Sequence, residues 1–327
     1  MRSLFFSAFL IATASTNAVA ASAVLDRAKL EQLNHLRVDA SMVIDRFPDD
    51  YGGQSSVRFE RIDVYAPGAR VVVVDATGEH EVPRSSRVEL IGRNASGDVR
   101  VSLAFDPGVQ KLSGVGTTSA GTYVVSAERT ASGLRLRAMP VESTYPAGVV
   151  PEILGNDDAL SSGRPQPSAL EIALAAAQSP VLNHNAVVAV DTDNELMSER
   201  FSNNTSQAAA WIADLFTTMN VMYQRDLNVT LLQGTTMLRT TTDPYSQNDT
   251  PADAADLDEF GTYWQMHYGA VSRSFAMLLS GKSSSGNFAS GIAWIDAYCQ
   301  TQSQGGSYSI NQVFTNPGID VSLSARI

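Results

Sequence analysis

Across 327 residues there is a single cysteine, Cys299, which excludes a disulfide framework within these residues. Charge is sparse, at 17% of residues, and the formal net charge is −11. The imbalance sits in the second half: residues 165–327 carry 6 Lys+Arg against 15 Asp+Glu, whereas residues 1–164 carry 17 against 19. A surface that tracks a nucleic-acid backbone needs clustered Lys and Arg, so no nucleic acid is expected as a partner. Past the N-terminus no apolar run approaches the roughly 20 residues that span a bilayer, so no membrane is expected as a partner of the mature form. There is no G-x-S-x-G turn and no H-E-x-x-H helix. Ala276 stands where a phosphate loop would need glycine, five positions before Gly281. His35, His80, His184 and His267 lack the spaced partners of a metal site or triad. A locally assembled serine hydrolase or zinc site is thereby excluded, and no catalytic residue or metal ligand is assigned.

What is present begins with an export signal. Arg2 supplies a positive start, residues 3–14 are apolar, and Ala18-Val19-Ala20 fits small-x-small cleavage before Ala21. Residues 1–20 are therefore expected to be a signal peptide, and the mature protein secreted, periplasmic or extracellular. In that setting an unpaired Cys299 has three readings: a buried inert thiol, an intermolecular bridge, or a disulfide to a cysteine beyond these 327 residues.

With 44% hydrophobic residues, the chain is long enough for two domains. Residues 24–141 read as β-rich. After an amphipathic segment at 25–36, apolar and polar residues alternate over most of 38–45, and similar strand-like runs appear at 57–65, 70–75, 88–91, 99–105, 123–127 and 134–138. Turn residues such as Pro67-Gly68 and Asp106-Pro107-Gly108 separate them, which predicts an antiparallel sandwich or roll. Gly114-Val115-Gly116 has the wrong spacing for a dinucleotide loop and reads as a turn. Residues 142–183 are rich in Pro, Gly and Ser and read as a linker, with a short helix at 168–177.

From residue 184 the pattern becomes α/β. The apolar strand 186–190, ending on Asp191, precedes an amphipathic helix at 205–224 and a second strand at 227–232. Thr250-Pro251 opens another helix, with Leu257, Phe260 and Trp264 as its buried stripe. Asp253, Asp256, Asp258 and Glu259 suit a helix N-terminus better than a calcium loop. Apolar strands follow at 274–280 and 290–299.

Several of these pieces occur together: Val187-Val188-Ala189-Val190-Asp191, Tyr223-Gln224-Arg225-Asp226-Leu227-Asn228-Val229, Asp243-Pro244-Tyr245, Leu278-Leu279-Ser280-Gly281 and Gly291-Ile292-Ala293-Trp294 through Cys299. In this order and spacing, residues 184–320 resemble the reprolysin-like (adamalysin-type) zinc metallopeptidases of the metzincin clan. The resemblance implies that residues 184–327 are the N-terminal part of a catalytic domain with a twisted five-stranded mixed sheet. The single antiparallel strand, at the edge above the cleft, corresponds to Gly291, Ile292, Ala293, Trp294 and Ile295. Its backbone is expected to hold a protein or peptide substrate by strand addition. The family usually has Tyr where Trp294 stands.

The resemblance also implies zinc, held by an H-E-x-x-H motif with its Glu as general base. Its ligands are expected beyond Ile327, so the chain is expected to be a piece that is inactive by itself. Cys299 is then expected to pair with a cysteine in that further segment. Residues 24–141 become a pro-domain, removed by cleavage in the linker. Because residues 1–180 contain no cysteine, its inhibition is expected to be steric. The competing expectation is a non-catalytic secreted binding or adhesion protein with a degenerate protease-like fold.

Overall fold

Burial alternates at residues 42–44, 57–59 and 134–136, whose apolar side chains share one core, and hydrogen bonding joins the segments edge to edge. The computed structural model describes residues 23–49, 52–155, 184–246, 251–282, 286–295 and 297–325. The expected signal peptide and the helix expected at 168–177 lie outside the described residues. The chain enters through β1 (Val24–Leu25) and helix α1 (Arg27–Asn34), whose first turn is capped by the Asp26 carboxylate. Next come β2 (Ser41–Asp49), β3 (Gly53–Ile62), β4 (Val71–Asp75), β5 (Gly78–Val82), β6 (Val88–Asn94), β7 (Arg100–Asp106), β8 (Lys111–Thr118), β9 (Gly121–Thr130) and β10 (Gly133–Pro140).

Eight of these strands form one antiparallel sheet in the order β1-β10-β9-β8-β7-β6-β3-β2. It curls rather than splitting into a sandwich, so that Leu134 near one edge and Ile44 on the other share a core with Phe47, Phe59, Leu103 and α1's Leu33. Gly114 and Gly116 lie inside β8, not in a turn. A Cβ on Gly114 would strike the Ser102 carbonyl, and one on Gly116 would strike the Tyr123 ring. Glycine is here the residue that lets neighbouring strands approach.

The hairpin β4–β5 leaves this sheet and joins a second one. The later elements are β11 (Glu152–Gly155), β12 (His184–Thr192), α2 (Thr205–Asp226), β13 (Val229–Arg239), α3 (Ala254–Tyr268), β14 (Phe275–Ser280), β15 (Phe288–Ala293), β16 (Tyr308–Gln312) and α4 (Val321–Ser324). The second sheet runs β11-β15-β16-β14-β12-β13-β4-β5. Its five strands from residues 184–312 match the expected mixed pattern. β13, β12, β14 and β16 are parallel, and β15 alone is antiparallel to its neighbour β16. At either end the N-terminal half adds to it: β4 pairs parallel with β13, and β11 pairs parallel with β15. The two sheets therefore do not divide the chain at the expected linker.

Strand alternation gives the second sheet two buried faces. Val188, Val190, Met277, Leu279, Val71 and Val73 meet α2 on one side. Ala189, Met237, Ala276, Leu278, Ile292 and Val72 meet α3 on the other. α2 lies between the two sheets, touching β13 on one side and β6, β7 and β8 on the other. That position explains why its polar Asp214, Thr217 and Asn220 are buried beside the expected apolar stripe of Trp211, Ile212 and Leu215. The cap of α3 is Asp253, whose carboxylate takes the Ala255 and Asp256 N–H groups while Asp256 returns to the Asp253 N–H.

Candidate functional site

The ends of the parallel strands carry a buried polar network, packed beside the region around β15. Asp191, at the end of β12, accepts two parallel bonds from Arg239 of β13, each 2.8 Å long. It also accepts from Tyr245 Oη at 2.6 Å and Trp264 Nε1 at 2.9 Å. A fork-on-carboxylate pair with further donors is the geometry in which a buried charge pair is tolerated. Burial pushes the Asp191 carboxyl up, against the pull of Arg239, Tyr245 and Trp264. For Arg239, burial alone would lower the pKa, but the Asp191 charge carries it upward. Burial raises Tyr245 as well, with Asp191's charge adding to it.

Two residues on, Asp193 accepts from the backbone of Leu196 at 2.8 Å and of Gly281 at 2.9 Å. It thereby ties the π-helical turn Leu196–Arg200 to the end of β14. Burial lifts its carboxyl from 3.8 to about 7, despite those bonds. Gly281 must be glycine, because a Cβ there would run into the Leu196 backbone nitrogen. Lys282 donates to the Tyr245 carbonyl at 2.5 Å, and Asn194 N–H donates to Asp243 at 2.7 Å. These groups are enclosed and mutually bonded, so they fix the loops at the sheet's edge and offer no open face for a substrate.

β15 is the exposed counterpart of this scaffold. Ile292 points into the core under α3, whereas Ala293 is exposed and Gly291 half-buried. Trp294 lies just past the strand, half-buried against the aromatic cluster of α3 and β16. Its indole N–H has no partner among the described residues. Ile295 is partly exposed beyond it. The strand thus begins at Phe288, three residues before the expected Gly291, and stops at Ala293, short of Trp294 and Ile295. It is flanked on its outer side by β11, in the register Glu152↔Phe288 to Gly155↔Gly291. Sequence reading missed β11, since its Pro-rich surroundings carry no strand alternation.

Cys299 is an exposed free thiol with a backbone φ of 56°, so the buried-thiol reading falls. The acidic residues of α3 are spent locally. Asp253 and Asp256 cap the helix, Glu259 accepts from Ser246, and Asp258 accepts from Gln304.

The zinc implied by the resemblance finds no place among these groups. Among the described residues no three or more His, Cys, Asp or Glu side chains converge on a point that could hold a metal. His267 stacks on Tyr263, and His80 lies beside Asp75. The described residues do not fit the ion.

Comparison with known proteins is consistent with the geometry. The family model Reprolysin_5, described as metallo-peptidase family M12, matches residues 182–324. No curated protein matches the chain. The match spans the strands β12, β13, β14, β15 and β16 and the helices between them. Residues 182–324 are therefore similar to the reprolysin-like metallopeptidases of family M12.

Proposed function

We propose that the protein is an exported zinc-dependent endopeptidase acting on protein or peptide substrates, with residues 182–324 as the substrate-holding part of its catalytic domain. The observation that carries this reading is the coincidence of the family match with five strands in which one alone, β15, runs antiparallel. Zinc held by ligands outside the described residues would supply Lewis-acid chemistry for peptide hydrolysis. The residues described do something else: they hold main chain. Backbone groups alternate sides along a strand, and the Asn287 carbonyl faces outward to accept the Glu152 N–H at 2.9 Å. Ala289, Gly291 and Ala293 therefore turn their N–H and C=O groups the same way, toward an extended peptide added at this edge. The small side chains of Gly291 and Ala293 leave room for its approach, and Ile292, buried under α3, keeps the strand in place.

Expression of the reading frame through to its stop codon tests the proposal. The expected result is a zinc-containing protein that cleaves an unstructured substrate such as casein and loses that activity to a chelator. A stop directly after Ile327 and no zinc uptake would favour the second reading, a secreted non-catalytic binding or adhesion protein. That reading is supported by the absence of a metal-binding group among the described residues.

A further inference from the structure

The outer edge of β15 is already taken. The strap that leads to it is built into the fold: Val141 is buried, and Tyr145 and Val149 pack with it against Ala289 of β15, Phe314, Ile319 and Leu323. Val149 N–H closes a turn on the Pro146 carbonyl at 3.0 Å. Pro146 lies so close to Gly318 that a Cβ there would come within 2.8 Å of its ring. Pro151, which has no N–H to donate, precedes the strand, as proline does at strand starts. Glu152 then bonds to the Asn287 carbonyl at 2.9 Å, and β11 runs parallel to β15 as far as Gly155↔Gly291.

We infer that residues Glu152–Gly155 are an intramolecular occupant of the peptide-holding edge, so that the intact chain excludes an incoming peptide from Ala289 and Gly291. This rests on the reading of β15 as the substrate strand. A tethered segment acts at an effective concentration on the order of millimolar, so a free peptide at micromolar concentration cannot displace it. The occlusion uses main-chain bonding at the sheet edge, and it requires neither a thiol nor any ligand on a metal. Ala293, beyond the end of the register with β11, lies outside the covered stretch.

Hydrogen exchange and peptide binding on the full chain test this together. Glu152→Pro removes the N–H that bonds to Asn287, and Ile153→Gly weakens the strand more mildly, without touching any residue of β15. In either variant the amides of Ala289 and Gly291 should exchange at least about tenfold faster, the equivalent of losing one or two net hydrogen bonds. Protection on β12 and β14 should be unchanged, which shows that the variant is folded. A fluorescein-labelled Val-Pro-Glu-Ile-Leu-Gly peptide, the sequence of residues 150–155, should bind the variants at least about tenfold more tightly than the wild type. Unchanged protection at Ala289 and Gly291 in folded variants would overturn the inference and leave the proposed function standing. Faster exchange without peptide binding would leave β11 as the cover but sink β15 as a peptide site. Equal peptide binding by wild type and variants would show the edge to be open in the intact chain, and would overturn the inference.

Discussion

Leu238 of β13 and Val73 of β4 are register partners in parallel strands, although they come from opposite halves of the chain, and both are buried. Val71, Val72 and Val73 cover both faces at this end of the second sheet. Full burial of a valine side chain is worth about 1.5 kcal/mol or more, and without β4 the edge of β13 would also stand open. Residues 184–327 expressed alone should therefore bind a hydrophobic dye and fail to unfold cooperatively. Adding residues 23–155 in trans should restore a folded complex. Cooperative unfolding of the isolated monomeric fragment would refute the dependence.

The interface between the sheets is acid-favoured. Glu89 of β6 and Asp214 of α2 are buried with Thr217, near the half-buried Arg87 and Asp320 and the exposed Lys111. Thr217 donates to Glu89 at 2.8 Å, and Arg87 is ion-paired with Asp214. Burial raises both carboxyls, Asp214 from 3.8 to about 6 despite Arg87, and Glu89 well above 4.5 with Asp214's charge adding to the effect. A carboxyl with a higher pKa folded than unfolded holds its proton more tightly when folded. Asp214's contribution is thus whole below 3.8 and is lost as pH climbs through about 6, and Glu89's is lost in the same direction as pH rises through its own raised pKa. Glu89→Gln keeps an acceptor for Thr217 but cannot ionise, so its thermal midpoint should fall less than the wild type's between about pH 4 and pH 8. Parallel curves would show that the pair does not titrate as described.

Asp191→Ala leaves Arg239 buried without its counter-charge and removes the acceptor for Tyr245 and Trp264. Breaking one side of a buried pair costs about 3–5 kcal/mol, which urea denaturation should register as a large drop in midpoint. A loss under about 1 kcal/mol would mean that water replaces the carboxylate.

Arg200 donates to the carbonyls of Phe314, Asn316 and Ile319, at 2.5, 2.9 and 3.0 Å. It also lies over the Trp211 ring, 4.9 Å from its centroid. Arg200→Ala should cost about 1.5–3 kcal/mol, the range for hydrogen bonds to a charged group. It should also speed exchange from Phe314 to Leu323 more than elsewhere. Uniform acceleration across the molecule would argue against a local clasp.

Much of the second sheet can be read in the sequence, because its strands are apolar runs and α2 and α3 show helical periodicity. The partners of those strands cannot. Residues 70–75 read as one more β-branched strand among their neighbours, and only pairing with β13 removes them from the curled sheet. Gly78-Glu79-His80-Glu81-Val82 has no apolar stripe and is a strand because β4 lies beside it. β8 is hidden by glycines whose purpose is close approach to Ser102 and Tyr123. At the candidate site, Gly291, Ile292 and Ala293 are recognisable from the motif they carry. Their cover by Glu152–Gly155 is not, since main-chain bonding leaves little trace in side-chain pattern. Nor does Asp191 announce Arg239, because their meeting depends on the parallel register of β12 and β13.

The placement of β4 also sets an order of assembly. Ribosomes deliver residues 71–75 long before residues 229–239, and domains generally form from the N-terminus during synthesis. The curled sheet can close on its own antiparallel neighbours while the hairpin Val71–Val82 waits outside it as an open template. Parallel pairing across such a distance is intrinsically slow when both ends must find each other. With one partner already displayed, β13 needs only to dock as it emerges, so the first half of the chain serves as the nucleus on which the second crystallises.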